Sequence, residues 1–137
     1  MSYTTLYRPT GLQELLLIIE SGWKRFPPRL EWQPIFYPVT NQKYADQIAA
    51  EWNTKDAFSG FCGIVTKFVL ETQYLSKYPI QNVGGSYHNE LWIPANELNQ
   101  FNEHIIGEIN VVSVFFGNQF TLPENELLAD ELLKFRR

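Results

Sequence analysis

The 137-residue chain contains one cysteine, one methionine and two histidines. With Cys62 alone no intrachain disulfide can form, which fits a reducing, cytoplasmic setting. Cys62 also lies in an apolar segment, where burial makes a thiol inert. His88 and His104 are far apart in sequence and remote from Cys62, so no zinc-type ligand spacing is present and no metal is expected. Nucleophile-elbow, phosphate-loop and dinucleotide-binding glycine patterns are all missing. The longest aliphatic run, Leu15 to Ile19, falls far short of the roughly 20 residues that span a bilayer. The start, Met1-Ser2-Tyr3-Thr4-Thr5, has neither the basic residues nor the apolar run of a secretory leader. Acids outnumber bases by 15 to 11, and a net charge of −4 lacks the basic footprint of general nucleic-acid binding.

What is present is the composition of one globular domain: 45% hydrophobic and 19% charged residues. Aromatics reach 15%. Trp23, Trp32, Trp52 and Trp92 are expected mainly in the core and at packed helix edges, with some free to line a stacking pocket.

Alternation from Tyr3 to Arg8 predicts a strand. Thr10 and Gln13 then suggest a capping box, Leu12, Leu15, Leu16 and Ile19 a helix, and Gly22 its end. Phe26-Pro27-Pro28-Arg29 reads as an extended connector, and 34–39 as a short proline-bounded strand. Thr40 or Asn41 is expected to cap a helix through Tyr44, Ile48 and Trp52. A loop over 53–60 and a core strand over 61–70 follow, then an extended segment over 74–83 and a short strand over 90–93. Pro94 opens a helical segment ending at Gly107, and 109–116 reads as a strand. Thr121 and Glu124 suggest a capping box for a last helix, whose dipole Lys134, Arg136 and Arg137 would complement. This order predicts an α+β fold rather than a doubly wound one, organised as a single domain. Residues 1–117 would form the body and 118–137 a helix packed on it, its leucine-rich side suited to self-association as a homodimer.

Candidates for chemistry are few. Arg8 closes the first strand before Pro9, where a guanidinium can bind phosphate or carboxylate in two-pronged fashion. A structural ion pair is an equally good reading of an arginine there. Arg29 is a weaker second cation. Tyr37, beside Phe36, can stack on a ligand or simply pack. Gly84-Gly85 leads into His88-Asn89-Glu90-Leu91-Trp92, which displays Glu90 at the start of an apolar strand.

Arg8, Tyr37 and Glu90 together resemble the three-motif layout of the ADP-ribosyltransferase superfamily. Leu6-Tyr7-Arg8-Pro9 is similar to the first-strand motif. Phe36-Tyr37-Pro38-Val39-Thr40-Asn41-Gln42-Lys43-Tyr44-Ala45 is similar to the strand–loop–helix motif, and His88-Asn89-Glu90-Leu91-Trp92-Ile93-Pro94 to the catalytic-glutamate strand. The whole chain also resembles small bacterial proteins of the ADP-ribosylation/crystallin type. The resemblance spans about residues 3–116. It implies mixed β-sheets around a cleft with flanking helices, and transfer of ADP-ribose from NAD, the suspected substrate, to an unidentified acceptor. Glu90 would then be catalytic with His88 assisting the acceptor, while Arg8, Tyr37 and Tyr44 would bind the nucleotide. A nucleotide-binding module without turnover and a protein-interaction domain are the other expectations.

Overall fold

The computed structural model describes residues 1–136. In chain order the elements are β1 (Tyr3–Thr10), α1 (Leu12–Glu20), β2 (Ile35–Phe36), α2 (Gln42–Glu51), β3 (Cys62–Glu71), α3 (Thr72–Leu75), β4 (Ile80–Asn82), β5 (Asn89–Leu91), β6 (Ile93–Pro94), α4 (Leu98–Glu103), β7 (Ile105–Phe116) and α5 (Glu126–Leu133). Short 3-10 turns occupy Asn53–Lys55, Ala57–Ser59 and Ala95–Glu97.

The main sheet has the order β1–β3–β7, and each neighbouring pair is antiparallel. Central β3 carries Cys62, Ile64, Val65, Phe68 and Leu70, all buried, because both faces of the sheet are covered. On one face α2 packs Ala45 and Ala49 against Val65. On the other, Leu15 of α1 meets Ile64 together with Leu128 and Leu132 of α5. The C-terminal helix is therefore part of this core, while its Leu127 and Leu133 remain exposed. Two smaller antiparallel pairs, β2–β6 and β4–β5, complete the strands. Val39 joins the parts: it bridges Tyr7 of β1 on one side and Glu90 of β5 on the other. Beneath β2, Phe26, Phe36, Phe68 and Phe101 form a cluster of tilted and edge-to-face rings.

The α+β, single-domain expectation agrees with this architecture, and several local expectations need correction. Thr10 does not cap α1: its hydroxyl donates to the Ile64 carbonyl, and Gly11 stands at the N-cap without a side-chain bond. Sheet pairing extends β1 through Pro9 and Thr10, so the hydroxyl is claimed by the strand next door. Asn41 caps α2, accepting from the Tyr44 N–H. Of the expected extended segment over 74–83, Tyr74 and Leu75 belong to the helical turn α3 and only Ile80–Asn82 is strand. Gly107 does not end α4. His104 does, and Gly107 lies within β7 at φ 72°. The last cap is Asn125, which accepts from the Leu128 N–H, so the Thr121–Glu124 box does not form. Among the three terminal bases, Arg137 lies outside the described residues. The tryptophans stay largely outside the core, with Trp32, Trp52 and Trp92 exposed; phenylalanine fills it instead.

Candidate functional site

The turn from β1 into α1 builds the site. Arg8 shares the inward face of β1 with Leu6 and Thr10 and is 6% exposed. Its Nε donates to Glu14 Oε2 at 2.6 Å and its Nη2 to Oε1 at 3.0 Å, a two-pronged ion pair. Glu14 sits in the first turn of α1, where an acid also suits the helix dipole. Gly11, between them, passes so close to the second 3-10 turn that a Cβ would stand 2.6 Å from Ser59 Cα. Only glycine lets strand and helix meet there.

Arg29 arrives from the proline connector and donates its Nε to the Ile35 carbonyl at 3.1 Å. The guanidinium carbons of Arg8 and Arg29 lie 5.8 and 5.9 Å from the Tyr37 ring centre, and both also approach Phe36. Burial lowers the Arg29 pKa, and repulsion from Arg8 lowers it further. Burial works against the charge of Arg8 as well, but Glu14 outweighs it and the net shift is upward. Among the described residues no carboxylate lies within 4.0 Å of Arg29. Arg8, Arg29 and Tyr37 line a cavity of about 290 Å³. The rest of its wall includes Val39, Trp52, Asn53, Asp56, Phe58 and Ser59.

Glu90 is not in that wall. It is 9% exposed, paired with the wall residue Val39, and held by two donors. Its Oε2 accepts from the Tyr44 hydroxyl at 3.0 Å and its Oε1 from the Trp92 indole N–H at 2.7 Å. Burial, then the hydrogen bond to Glu90 and the charge of Glu90, push Tyr44 up to about 12. Arg8 and Tyr37 thus share a cavity, whereas neither Tyr44 nor Glu90 is in its wall, and Glu90 connects to it through its bridge partner Val39.

His88 has a different setting. Its Nδ1 accepts from the Gly85 N–H at 2.9 Å, and its Nε2 donates to Gln47 Oε1, also at 2.9 Å. The tautomer follows from these two partners. Tyr87 donates to the same Gln47 oxygen at 2.8 Å. Both ring nitrogens are therefore occupied, Nδ1 within the 84–88 loop and Nε2 in tying that loop to α2.

Glu14 escaped the sequence reading, although an acid six residues after Arg8 at a helix start was a usable signal. Asn53, Asp56 and Ser59 were read as loop. Their hydrogen bonds to one another could not be read from a polar stretch. Burial pushes the Cys62 thiol up to about 12. Among the described residues no group of three or more His, Cys, Asp or Glu could hold a metal ion, and no helix is long and apolar enough to cross a membrane. Comparison with protein-family models, curated proteins and solved structures found no match.

Proposed function

We propose that this domain binds an NAD-type nucleotide in the cavity beside Tyr37 and transfers its ADP-ribose to an acceptor. The observation that carries the reading is Arg29. Two guanidiniums converge on one aromatic floor while a single carboxylate, Glu14, is spent on Arg8. A half-buried cation without a counter-ion is costly, and an anionic ligand group relieves the cost. Tyr37, 43% exposed, offers its ring as a stacking surface beside that anion. Charge plus stacking is the recognition a nucleotide needs. The cavity is small for a whole dinucleotide, so one nucleotide half would occupy it and the other would extend from its mouth.

In the transfer step the bond between nicotinamide nitrogen and ribose C1′ breaks, and nicotinamide leaves with the electron pair. The acceptor atom bonds to C1′ and loses its proton. Positive charge develops on the ribose, and a carboxylate already oriented by Tyr44 and Trp92 would stabilise it in the transition state. To reach the sugar, Glu90 must gain access to a cavity whose wall includes neither it nor Tyr44.

That requirement favours a second reading, binding without turnover, because Glu90 is absent from the cavity wall. Two measurements separate them: ADP-ribose affinity by calorimetry, and nicotinamide release from NAD, each for wild type and Glu90→Gln. Transfer chemistry predicts release in wild type and its loss in Glu90→Gln with affinity retained. Affinity without release in either protein supports the binding module. Absence of ADP-ribose binding to wild type overturns both.

A further inference from the structure

The part of the cavity wall contributed by residues between 52 and 59 has its own chemistry. Asn53 lines it, is 5% exposed, and donates its Nδ2 to Ser59 Oγ at 3.0 Å. Ser59 Oγ in turn donates to Asp56 Oδ2 at 2.6 Å, and the Ser59 N–H donates to the same oxygen at 3.1 Å. Because the only hydroxyl proton of Ser59 goes to Asp56, its oxygen must accept from Asn53, which fixes the orientation of the amide. Asn53 Oδ1 is then left buried with no partner among the described residues. It is the one such side-chain atom found among them. Buried acceptors are nearly always satisfied, and an orphan on a cavity wall calls for a donor. Trp52 and Phe58, 61% and 71% exposed, line the same region. Oδ1 has almost no accessible surface, so a donor reaches it only if the wall around it opens.

We propose that Asn53, backed by Asp56 and flanked by Trp52 and Phe58, reads an N–H₂ group carried on a flat ring. The proposal rests on the nucleotide reading of the cavity and adds its specificity determinant. Asn53 Oδ1 accepts from the ring's amino or carboxamide group, the exposed aromatics cover the ring, and the anionic group lies towards Arg29. An adenine amine and a nicotinamide carboxamide supply the same donor. The wall discriminates against rings that carry oxygen there, because two acceptors would then face each other and Asn53 would remain unpaired.

Binding to wild type and Asn53→Ala is measured for two pairs: adenosine against inosine monophosphate, and nicotinamide against nicotinic acid mononucleotide. In at least one pair the amino-bearing member should bind wild type about tenfold more tightly, and the pair that shows the preference identifies the ring. In Asn53→Ala the preference should shrink to about one. Equal binding within both pairs, or a preference that survives in Asn53→Ala, overturns the assignment of Asn53 while leaving nucleotide binding intact. If none of the four binds wild type, the nucleotide reading itself fails and this inference falls with it. Should Asn53→Ala not fold, the Asn53 side-chain amide signals of isotope-labelled wild type supply the test. They should move with the amino-bearing nucleotide and stay in place with its oxygen-bearing counterpart. Identical responses to both overturn the proposal.

Discussion

Glu14 grips Arg8 with both carboxylate oxygens, and the two side chains are only 20% and 8% exposed. A pair this buried behaves unlike a surface salt bridge, because removing one partner leaves a desolvated charge behind. Glu14→Gln should lower unfolding free energy by about 3 kcal/mol, read from urea denaturation. The double variant Arg8→Met/Glu14→Leu should lose much less, since neither charge remains to be desolvated. A loss below about 1 kcal/mol in Glu14→Gln would mean that the pair behaves as an exposed one.

Arg29 should show the opposite balance between stability and binding. Burial and Arg8 lower its pKa, and Glu14, which offsets them in part, is ion-paired with Arg8, so no carboxylate lies within 4.0 Å of Arg29 among the described residues. Arg29→Met keeps much of the aliphatic stem and discards the charge. Its melting temperature should equal or exceed that of wild type, while ADP-ribose affinity falls at least about tenfold, the worth of one charge-assisted contact. A fall in stability with affinity unchanged would place Arg29 in the scaffold rather than in the ligand site.

Tyr44 and Glu90 give a pH signature. The phenol is raised from 10.0 to about 12 by burial first, and then by its bond to Glu90 and the charge of Glu90. A folded pKa above the unfolded one means that the neutral phenol's contribution to stability is fully present below pH 10 and is lost as pH rises through about 12. Carbon-13 labelled tyrosine resolves the rings by NMR. The Tyr44 signal should titrate near 12 in wild type and move back towards 10 in Glu90→Gln, since two of its three main causes disappear. An unchanged midpoint would show that Glu90 does not raise it.

The α+β class was legible in the sequence because long periodic segments carry their own signal. The core strand around Ile64, Val65 and Phe68 and the helix through Leu12, Leu15 and Ile19 are read directly from their spacing. The caps at Thr10 and Thr121 were misread because a hydroxyl's partner is decided by tertiary neighbours. Thr10 faces the Ile64 carbonyl across a strand pair that local sequence does not specify. Arg8 could be named from its place before Pro9, and Tyr37 from its place in the short proline-bounded segment. The pairing of Arg8 with Glu14, the lack of a close carboxylate at Arg29 and the absence of Glu90 from the cavity wall could not. Each depends on how separate segments close on one another.

Gly63 tests whether the cavity depends on how closely α2 approaches the sheet. A Cβ there would stand 2.5 Å from the Ala49 carbonyl oxygen and 2.7 Å from Ala49 Cβ, so helix and strand touch backbone to backbone. α2 carries Tyr44 and the cavity residue Ile48, and Trp52 follows at its C-cap. Gly63→Ala should therefore cost about 1–3 kcal/mol through overpacking and also weaken ADP-ribose binding, because the helix must shift outward. Gly22→Ala is the matched control. Nothing lies within 4 Å of a Cβ at that position, but its φ of 77° is unfavourable for alanine. It should lower stability alone, read by urea denaturation and calorimetry on the same samples. If Gly63→Ala loses stability yet binds ADP-ribose as well as Gly22→Ala does, the cavity does not depend on the close seating of α2.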